Sequence, residues 1–438
     1  MMKGAQLRKD WCPGAWRPMP AKDGLLVRIR ISGGIVAAAT LRELAQAGRE
    51  HGSGIFELSN RGNLQIRGVR ESNLAALIET LDSLGLIDEN ASAEAVRNVL
   101  ISPLAGLDGR SDAPGAAKAL EATLNANKHL HALPAKFGFL IDDGSSLSLG
   151  SIAADIRFDW NAGMQSFAIG IGGRANEAIF LGYCGADALP AIASRLASTF
   201  LLLRSTMAEP ARRMADLIEH CGANAIADAA GLGLDDSSER ASTGEPCPIG
   251  LISFNGTHCF GAGVAFGTLD TNMLEAAAGA ASKFGNGEIR LTPWRALILP
   301  HVAEDQAAAI AAYFASHRFI VDAEDARLAI AACGGGSTCE HGTTDTRTDA
   351  LALMSFARKL CKTGITLHVS GCAKGCARQA STPVTLIAQD GLYDLIPDET
   401  TREDGIRAAN RLGLAAVRDL FEKAITDRSG HECRIENR

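Results

Sequence analysis

The sequence predicts an α+β protein built from an internally duplicated unit, in which each copy combines a ferredoxin-like half-domain with an α/β domain. Three observations support this fold class. The chain of 438 residues is too long for a single ordinary core. Its 47% hydrophobic and 21% charged residues are typical of a globular protein. A pattern of strands and helices near the N-terminus also returns after residue 246.

The first copy begins with a β-α-β-β-α unit, which predicts a ferredoxin-like half-domain over residues 1–85. Residues 25–31 alternate apolar and polar side chains as in a strand. Thr40 can cap a helix that has Glu43 three residues later. The other elements predicted here are the helix over 40–51, strands over 54–59 and 63–69, and a helix over 72–84.

An α/β domain is predicted over residues 90–230, followed by a linker over 231–246 that is rich in Gly, Ser and acidic residues. Proline at position 190 is tolerated in the first turn of a helix and supports a helix start there. The elements expected in this domain are strands over 139–142 and 152–158 and helices over 190–203 and 209–220.

The second copy repeats this layout, with a ferredoxin-like half-domain predicted over residues 247–315 and an α/β domain over 320–438. The elements expected in its half-domain are strands over 264–269, 288–292 and 296–301 and a helix over 272–284. Superposing the turn at Arg295 on the turn at Arg61 leaves the two arginines one position apart. On this alignment, two cysteine pairs of the second copy fall where residues 99–102 and the loop of Lys136 fall in the first.

Two cysteine pairs carry the strongest chemical signal. Cys333 and Cys339 are separated by five residues, and Cys372 and Cys376 by three, with glycines beside both pairs. Glycine lets backbone amides approach sulfur, and four thiolates on two short loops are typical ligands of a [4Fe–4S] cluster. Four thiolates also suit zinc, although zinc knuckles favour a two-residue separation. The pattern therefore favours the cluster, with zinc as the alternative.

A second candidate site consists of basic residues in turns or at strand starts bracketed by Gly, Asn or Pro. Such residues are often solvated or paired with acids. If they converge on one cleft, their side chains would bind a ligand that carries several carboxylates. The candidate ligand-binding residues are Arg61, Gln65, Arg97, Lys136 and Arg295.

Histidines offer a weaker metal signal. His129 and His131 are spaced to share one face of a strand, and His341 and His368 flank the cysteine loops. Two histidines and a carboxylate can form a mononuclear non-haem iron site, but the sequence does not single out its ligands. No glycine-rich dinucleotide motif opens a helix after a strand, so we expect reducing equivalents from a partner or from a weakly marked site.

The net charge of −7 gives no electrostatic reason to bind nucleic acid or an anionic membrane. The N-terminal residues lack the apolar segment of a signal peptide, and the apolar runs are too short to span a bilayer. We therefore expect a cytoplasmic protein with no nucleic-acid or membrane partner.

Several motifs together resemble the sirohaem-dependent sulfite and nitrite reductase superfamily. They are the segments 60–65, 97–99, 133–137, 333–339 and 371–378, in the same order and with the same duplicated layout. The resemblance implies a paired ferredoxin-like domain made from both repeats. It also implies two α/β domains that hold a [4Fe–4S] cluster beside a tetrapyrrole.

Within that superfamily the sequence is more similar to the precorrin-3B synthases, the monooxygenases of aerobic cobalamin biosynthesis. Segments 12–14, 23–28 and 291–295 carry this similarity. Sirohaem reductases typically show Lys-Phe-Lys at the lysine loop, where this chain has Lys136-Phe-Gly138. The missing second lysine counts against reduction of sulfite or nitrite.

The resemblance implies that dioxygen hydroxylates precorrin-3A at C20 while the ring A acetate closes a γ-lactone onto C1. The substrate would take the place of sirohaem, and the cleft arginines would bind its carboxylates. The family also implies a mononuclear non-haem iron and NADH as the electron source, which acts directly or through an electron-transfer protein. The alternatives are a sirohaem-dependent sulfite or nitrite reductase and a non-catalytic carrier of a cluster or tetrapyrrole.

Overall fold

The computed structural model of the chain describes residues 12–234, 246–360, 365–378, 380–398 and 408–435. Most of the predicted linker, residues 235–245, lies outside the described residues. Across the described ranges, no helix is both long and apolar enough to cross a membrane.

Both repeats contain a half-domain followed by an α/β domain. The first repeat contains β1 (Met19–Ala21), β2 (Gly24–Ile29), β3 (Ile35–Ala37), α1 (Ala38–His51), β4 (Ile55–Leu58), β5 (Leu64–Val69), α2 (Leu74–Ser83), α3 (Ala91–Val96), β6 (Val99–Ile101), α4 (Ala113–Ala126), β7 (Phe139–Asp142), β8 (Ile156–Asn161), β9 (Ser166–Ile171), β10 (Ile179–Cys184), α5 (Leu189–Arg204) and α6 (Met214–Ala230). The second repeat contains β11 (Gly250–Phe254), β12 (Thr257–Gly263), β13 (Thr268–Asp270), α7 (Thr271–Phe284), β14 (Glu288–Leu291), β15 (Ala296–Leu299), α8 (Ala307–Ser316), β16 (Ile330–Ala332), α9 (Gly335–Thr338), α10 (Thr346–Ala352), α11 (Met354–Leu360), β17 (Leu367–Ser370), β18 (Val384–Gln389), β19 (Leu392–Pro397), β20 (Ala409–Leu412) and α12 (Leu414–Ile435).

The two half-domains form two five-stranded sheets, and each sheet takes one strand from the other repeat. The strand orders are β1-β2-β5-β4-β13 and β11-β12-β15-β14-β3. Strand β13 pairs antiparallel with β4, and β3 pairs antiparallel with β14. Helices α1 and α7 pack together in one apolar core, where Leu44 and Leu274 are fully buried. The half-domains thus complete each other, and the predicted duplicated α+β architecture is confirmed.

The turns between β4 and β5 and between β14 and β15 are built in the same way. The Ser59 hydroxyl accepts hydrogen bonds from the N–H groups two and four residues later, at 3.3 and 3.1 Å. The Thr292 hydroxyl accepts the equivalent bonds at 3.3 and 3.2 Å. Gly62 and Arg295 hold the same place, with positive φ of 65° and 56°. The arginine thus stands one position later in the second turn than Arg61 does in the first.

The two α/β domains also share one topology. Their sheets have the strand orders β10-β9-β8-β7-β6 and β16-β17-β18-β19-β20. In each sheet the first three strands in chain order are parallel and the remaining pairings are antiparallel. Phe158 and Phe200 are buried in the first core, and Phe356 and Phe421 in the second. Loops at the carboxyl ends of the parallel strands are the usual place for a ligand in such sheets.

The structure corrects one part of the predicted alignment between the repeats. Residues 372–376 follow β17, so their counterpart is the loop after β7, whereas the loop of Lys136 precedes β7. The alignment was wrong because β17 was not recognised as a strand. Leu367 and Val369 fill the core, but they alternate with polar residues such as His368, and the strand runs directly into the cysteine loop.

Several predicted elements have different bounds in the structure. The strand predicted over 264–269 is a 3-10 turn, Ala265–Gly267, that leads into β13. The helix predicted over 40–51 is α1, which begins at Ala38 without a side-chain cap, so the predicted cap at Thr40 is wrong. The strand predicted over 152–158 begins only at Ile156. The helix predicted over 209–220 is α6, which starts later because the Asp216 carboxylate accepts hydrogen bonds at 2.9 Å from the two N–H groups before Met214. It continues beyond a kink at Gly222, which has a φ of 79°.

Candidate active site

A polar surface covers one face of the sheet β1-β2-β5-β4-β13. Arg28, Gln65 and Glu57 are cross-strand neighbours, so their side chains share this face. Nε and Nη2 of Arg28 donate to the Gln65 side-chain oxygen at 3.0 and 2.7 Å. Val27 and Ile66 point to the opposite face and are fully buried. Alternation along the strands therefore separates the apolar core from a charged face, where the predicted residue Gln65 orients Arg28.

Some arginines of this region are neutralised by carboxylates. Arg67 donates to both oxygens of Asp23 at 2.9 and 2.8 Å and to Glu57 at 3.2 Å. Arg97 donates to both oxygens of Asp88 at 2.7 and 3.0 Å. Burial alone would lower the pKa of each arginine, but these carboxylates raise both pKa values above the ordinary one. Arg97, predicted to bind a ligand, therefore uses most of its donors within the protein.

Arg28 and Arg61 have no matching carboxylate among the described residues and lie near other cations. Burial, with the charges of Arg30 and Arg61, lowers the pKa of Arg28 to about 10 against an opposing effect of Cys12. Burial and then Arg213 lower the pKa of Arg61, although Asp155 opposes them. These two half-buried cations would be neutralised by an anionic ligand.

A cleft that is partly open to solvent lies beside this charged face. Arg30, Arg61, Arg97 and Gly138 are among the residues that line it. Nη2 of Arg61 donates to the backbone carbonyl of Lys136 at 3.3 Å. The Lys136 side chain itself is exposed. The structure thus brings Arg61 and Arg97 together, while the loop of Lys136 holds Arg61 through its backbone.

Arg295 lies at the other end of the charged face, beside the cysteine loops. Its Nη2 donates to the backbone carbonyl of Ala377 at 2.7 Å. Burial and then the charge of Arg347 lower the pKa of Arg295 to about 10, while Glu57 opposes them. The Arg347 guanidinium donates to Glu57, which links the second α/β domain to the sheet of the first repeat.

The four predicted cysteines come together at the carboxyl ends of β16 and β17. Burial raises the pKa of the Cys376 thiol, and Cys372, Cys333 and Cys339 raise it further. The N–H of Gly371 donates to the Cys333 sulfur at 3.2 Å. Amide bonds to sulfur of this kind adjust the potential of an iron–sulfur cluster.

Glycines shape the loops that carry these sulfurs. A Cβ on Gly335 would lie 2.6 Å from the Thr344 carbonyl oxygen, and one on Gly342 would lie 2.3 Å from the Gly335 carbonyl carbon. A Cβ on Gly371 would lie 3.2 Å from the Gly335 Cα. Only bare backbone packs this closely, so the loops form a tight cradle next to four thiols. This donor set and cradle fit an iron–sulfur cluster.

The charged sheet face also contacts the first cysteine loop. Nη2 of Arg67 donates to the Thr338 carbonyl at 2.9 Å, and Nζ of Lys22 donates to the Gly336 carbonyl at 2.6 Å. The first cysteine loop and the charged sheet face are therefore parts of one continuous site.

No comparable arrangement exists for a mononuclear iron. Within the described ranges, no group of three or more His, Cys, Asp or Glu side chains is placed to hold one metal ion, and this holds for the four cysteines too, which counts against the zinc alternative. His129 and His131 lie on a single 3-10 turn, Leu130–Ala132 with its cap, so the predicted strand at this pair is wrong. His341 is exposed, and His368 is buried on β17. The described residues do not fit a mononuclear iron site.

Sequence reasoning missed Arg28, Arg30 and Arg347 as residues of the site. For the first two a signal was available, because they alternate with Val27, Ile29 and Ile31 along a predicted strand. Two cations on one face of a half-buried strand indicate that this face is not core. Arg347 lies on a short helix of the other repeat, and only the fold brings it to this face.

Comparison with known proteins agrees with this geometry. Residues 17–84 and 254–317 match the nitrite/sulfite reductase ferredoxin-like half domain. The chain is 30% identical over 428 residues to precorrin-3B synthase from Sinorhizobium sp., covering 93% of this chain and 89% of that protein. It is 26% identical over 411 residues to a ferredoxin–nitrite reductase from Synechococcus elongatus, covering 87% and 79%. The structure of the Mycobacterium tuberculosis NirA protein matches with a TM-score of 0.68 at 20% identity, over 85% of this chain and 74% of that one.

The paired half-domains and these matches define a protein of the nitrite and sulfite reductase superfamily. More narrowly, the chain belongs to the precorrin-3B synthase family, since a member of that family aligns with nearly its whole length. The relatives named above as synthase and reductase are enzymes.

Proposed function

We propose that this chain catalyses the oxygen-dependent conversion of precorrin-3A to precorrin-3B. One atom of dioxygen enters the product as the hydroxyl group at C20, and the ring A acetate closes a γ-lactone onto C1. The other oxygen atom takes up two electrons and two protons and leaves as water, with NADH as the formal electron donor. The similarity to a precorrin-3B synthase along the whole chain supports this reaction.

The observation that carries the proposal is the set of arginines along the charged face that have no carboxylate partner among the described residues. Arg28 and Arg61 lie toward the loop of Lys136, and Arg295 lies beside the cysteine loops. Guanidinium groups bind carboxylates through paired hydrogen bonds. Cations at both ends of one charged face suit a broad ligand with carboxylates on several edges better than a small anion. A tetrapyrrole with acetate and propionate groups is such a ligand.

The predicted substrate residues take different roles in this proposal. Arg61 and Arg295 bind substrate carboxylates together with Arg28, and Gln65 orients Arg28 through its side-chain oxygen. Lys136 holds Arg61 through its carbonyl and adds an exposed cation near the cleft. Arg97 stabilises the cleft wall through Asp88, because that carboxylate takes two of its donors.

We assign Cys333, Cys339, Cys372 and Cys376 as the ligands of a [4Fe–4S] cluster. The convergence of four thiols within the glycine cradle supports the assignment. When bound, such a cluster relays single electrons. The electrons derived from NADH are proposed to arrive through an electron-transfer protein, since the sequence has no glycine-rich dinucleotide motif. We derive no step through a mononuclear iron, because the described residues do not fit one.

Oxygen labelling tests this function. Protein purified without oxygen is mixed with precorrin-3A, a reductant and ¹⁸O₂, and the product is analysed by mass spectrometry. Incorporation of one labelled oxygen atom, with oxygen consumption that depends on substrate, is the expected result. Binding of precorrin-3A without oxygen consumption would instead indicate a carrier.

The optical spectrum tests the alternative, a sirohaem-dependent sulfite or nitrite reductase. That alternative draws on the alignment with a nitrite reductase over 87% of the chain. Intense sirohaem Soret and red bands, with turnover of nitrite or sulfite, would replace the oxygenase proposal. A broad iron–sulfur absorption alone supports it.

A further inference from the structure

Gly138 holds a backbone position that any residue could adopt. Its φ lies outside the left-handed region. Its N–H donates to Asp155 Oδ2 at 2.8 Å, and its carbonyl accepts from the N–H groups of Asp155 and Ile156 at 3.0 and 3.3 Å. Because hydrogen bonds fix the backbone on both sides, it cannot easily shift to make room for a side chain. The reason for glycine must lie in the neighbouring side chains.

The space that a side chain would need is filled by Arg61. A Cβ on Gly138 would lie 2.9 Å from Arg61 Nη1 and 3.2 Å from Asn98 Nδ2. Nδ2 of Asn98 is itself held by the Phe137 carbonyl at 2.9 Å. The Arg61 guanidinium is therefore the group that would have to move.

Arg61 keeps donors for a ligand in this position. Among the described residues, its guanidinium donates only to the Lys136 carbonyl, at 3.3 Å. Asp155, whose charge acts on Arg61, is taken by Arg213, whose Nη2 lies 2.9 Å from its Oδ2, and by the N–H groups of Gly138 and Met214. No carboxylate of the described residues pairs directly with Arg61, which lies at the wall of the cleft.

We infer that Gly138 is a specificity-determining residue: its missing side chain lets the Arg61 guanidinium rest against residues 136–138 and bind a carboxylate of the macrocycle. A side chain at this position displaces Arg61 from the Lys136 carbonyl and weakens binding of a polycarboxylate ring. Gly138 acts through Arg61 and does not itself touch the ligand's carboxylate. The inference rests on the proposed tetrapyrrole substrate and adds the residue that orients one of its binding groups.

The test measures binding of uroporphyrin III, a ring with eight carboxylates, to the purified holoprotein by fluorescence quenching. The variants are Gly138→Ala, Arg61→Ala and the double variant. We expect each single variant to raise the Kd at least 10-fold, and the double variant to bind no more weakly than Arg61→Ala. The octamethyl ester of uroporphyrin, which has no carboxylates, should bind all four proteins alike.

Gly185→Ala is the matched control, because a Cβ there meets nothing within 4 Å. It should keep wild-type affinity, and thermal unfolding midpoints show whether Gly138→Ala is folded. Wild-type affinity in folded Gly138→Ala, or losses that multiply in the double variant, would overturn the inference. If the affinities behave as expected but labelled oxygen never enters precorrin-3A, the proposed reaction fails while the role of Gly138 stands.

Discussion

Arg295 stands where the first repeat has Gly62, and it keeps the left-handed backbone of that glycine, with a φ of 56° against 65°. The shared turn around Ser59 and Thr292 makes the equivalence clear. A left-handed conformation is unfavourable for a residue with a Cβ. The second repeat thus keeps a strained arginine in place of a relaxed glycine, and its guanidinium reaches the Ala377 carbonyl beside the cysteines.

We predict that Arg295→Gly is more stable than Arg295→Ala by about 1 kcal/mol, because both lose the guanidinium but only alanine keeps the strain. Chemical denaturation of the two variants measures the difference. Ala296→Gly serves as the control, since Ala296 has ordinary φ and glycine should lower stability there. Equal stability of the two Arg295 variants would mean that the turn relaxes without strain.

The cysteine assignment makes a spectroscopic prediction. Cys372→Ser and Cys376→Ser should each lose the broad visible absorption of the iron–sulfur cluster and all oxygenase turnover, because serine is a poor ligand for cluster iron. Absorption spectra and iron content of proteins purified without oxygen measure the loss. Cys247→Ser, at an exposed cysteine outside the four, should keep the full spectrum. A normal cluster in both serine variants would remove these residues from the ligand set.

The contrast between paired and unpaired arginines predicts opposite effects of the same substitution. Arg97→Met leaves Asp88 buried without its main partner and should lower the free energy of unfolding by about 3–5 kcal/mol. Arg28→Met removes a half-buried cation that has no carboxylate partner among the described residues, so stability should change by less than about 1 kcal/mol. Binding should respond in the opposite order, with the larger loss of affinity for uroporphyrin III in Arg28→Met.

Denaturation curves and Kd values for the two methionine variants test this contrast. Methionine keeps much of the length of arginine, so the comparison isolates the charge. A large stability loss in Arg28→Met with unchanged binding would show that Arg28 serves the fold and not a ligand.

Much of the fold could be predicted from the sequence because its signals are local. The alternation over 25–31 indicates a strand without tertiary information, and the repeated turn at Arg61 and Arg295 reveals the duplication. The helix over 40–51 was also predicted, but its cap was not, since the structure places Thr40 inside the first turn of α1. Exchange of β3 and β13 between the half-domains could not be predicted, since strand patterns do not specify a partner. β17 was missed because its polar residues are buried at a domain contact, so that its residue pattern resembles that of a loop.

The candidate site could be predicted where its chemistry requires a fixed spacing of residues along the chain. It could not be predicted where the role of an arginine depends on which acid pairs with it. The four cysteines are defined by their spacing and glycines. Arg97 and Arg61 look alike in sequence, but Asp88 neutralises the first and no described carboxylate pairs directly with the second. Which acid meets which arginine depends on the folded chain, as does the closeness of Arg61 to Gly138.

His368 gives a prediction for the dependence of stability on pH. It is 4% exposed on β17, and its Nε2 has no hydrogen-bond partner within the part of the chain that the structure describes. Burial, with the charges of Arg295 and Arg378, lowers its pKa from 6.5 to about 4. As pH falls below 6.5, the unfolded chain takes up a proton at this histidine before the folded chain does. Stability is therefore fully present above pH 6.5 and is lost as pH falls toward 4.

By pH 5 this loss should reach about 2 kcal/mol, from roughly 1.4 kcal/mol per pH unit. Thermal unfolding of the holoprotein at pH 7 and pH 5 should show a smaller drop in midpoint for His368→Gln than for the wild type, because glutamine does not titrate. His129→Gln removes an exposed histidine and should leave the wild-type drop unchanged. If His368→Gln loses as much stability as the wild type between these pH values, another group is responsible for the acid sensitivity.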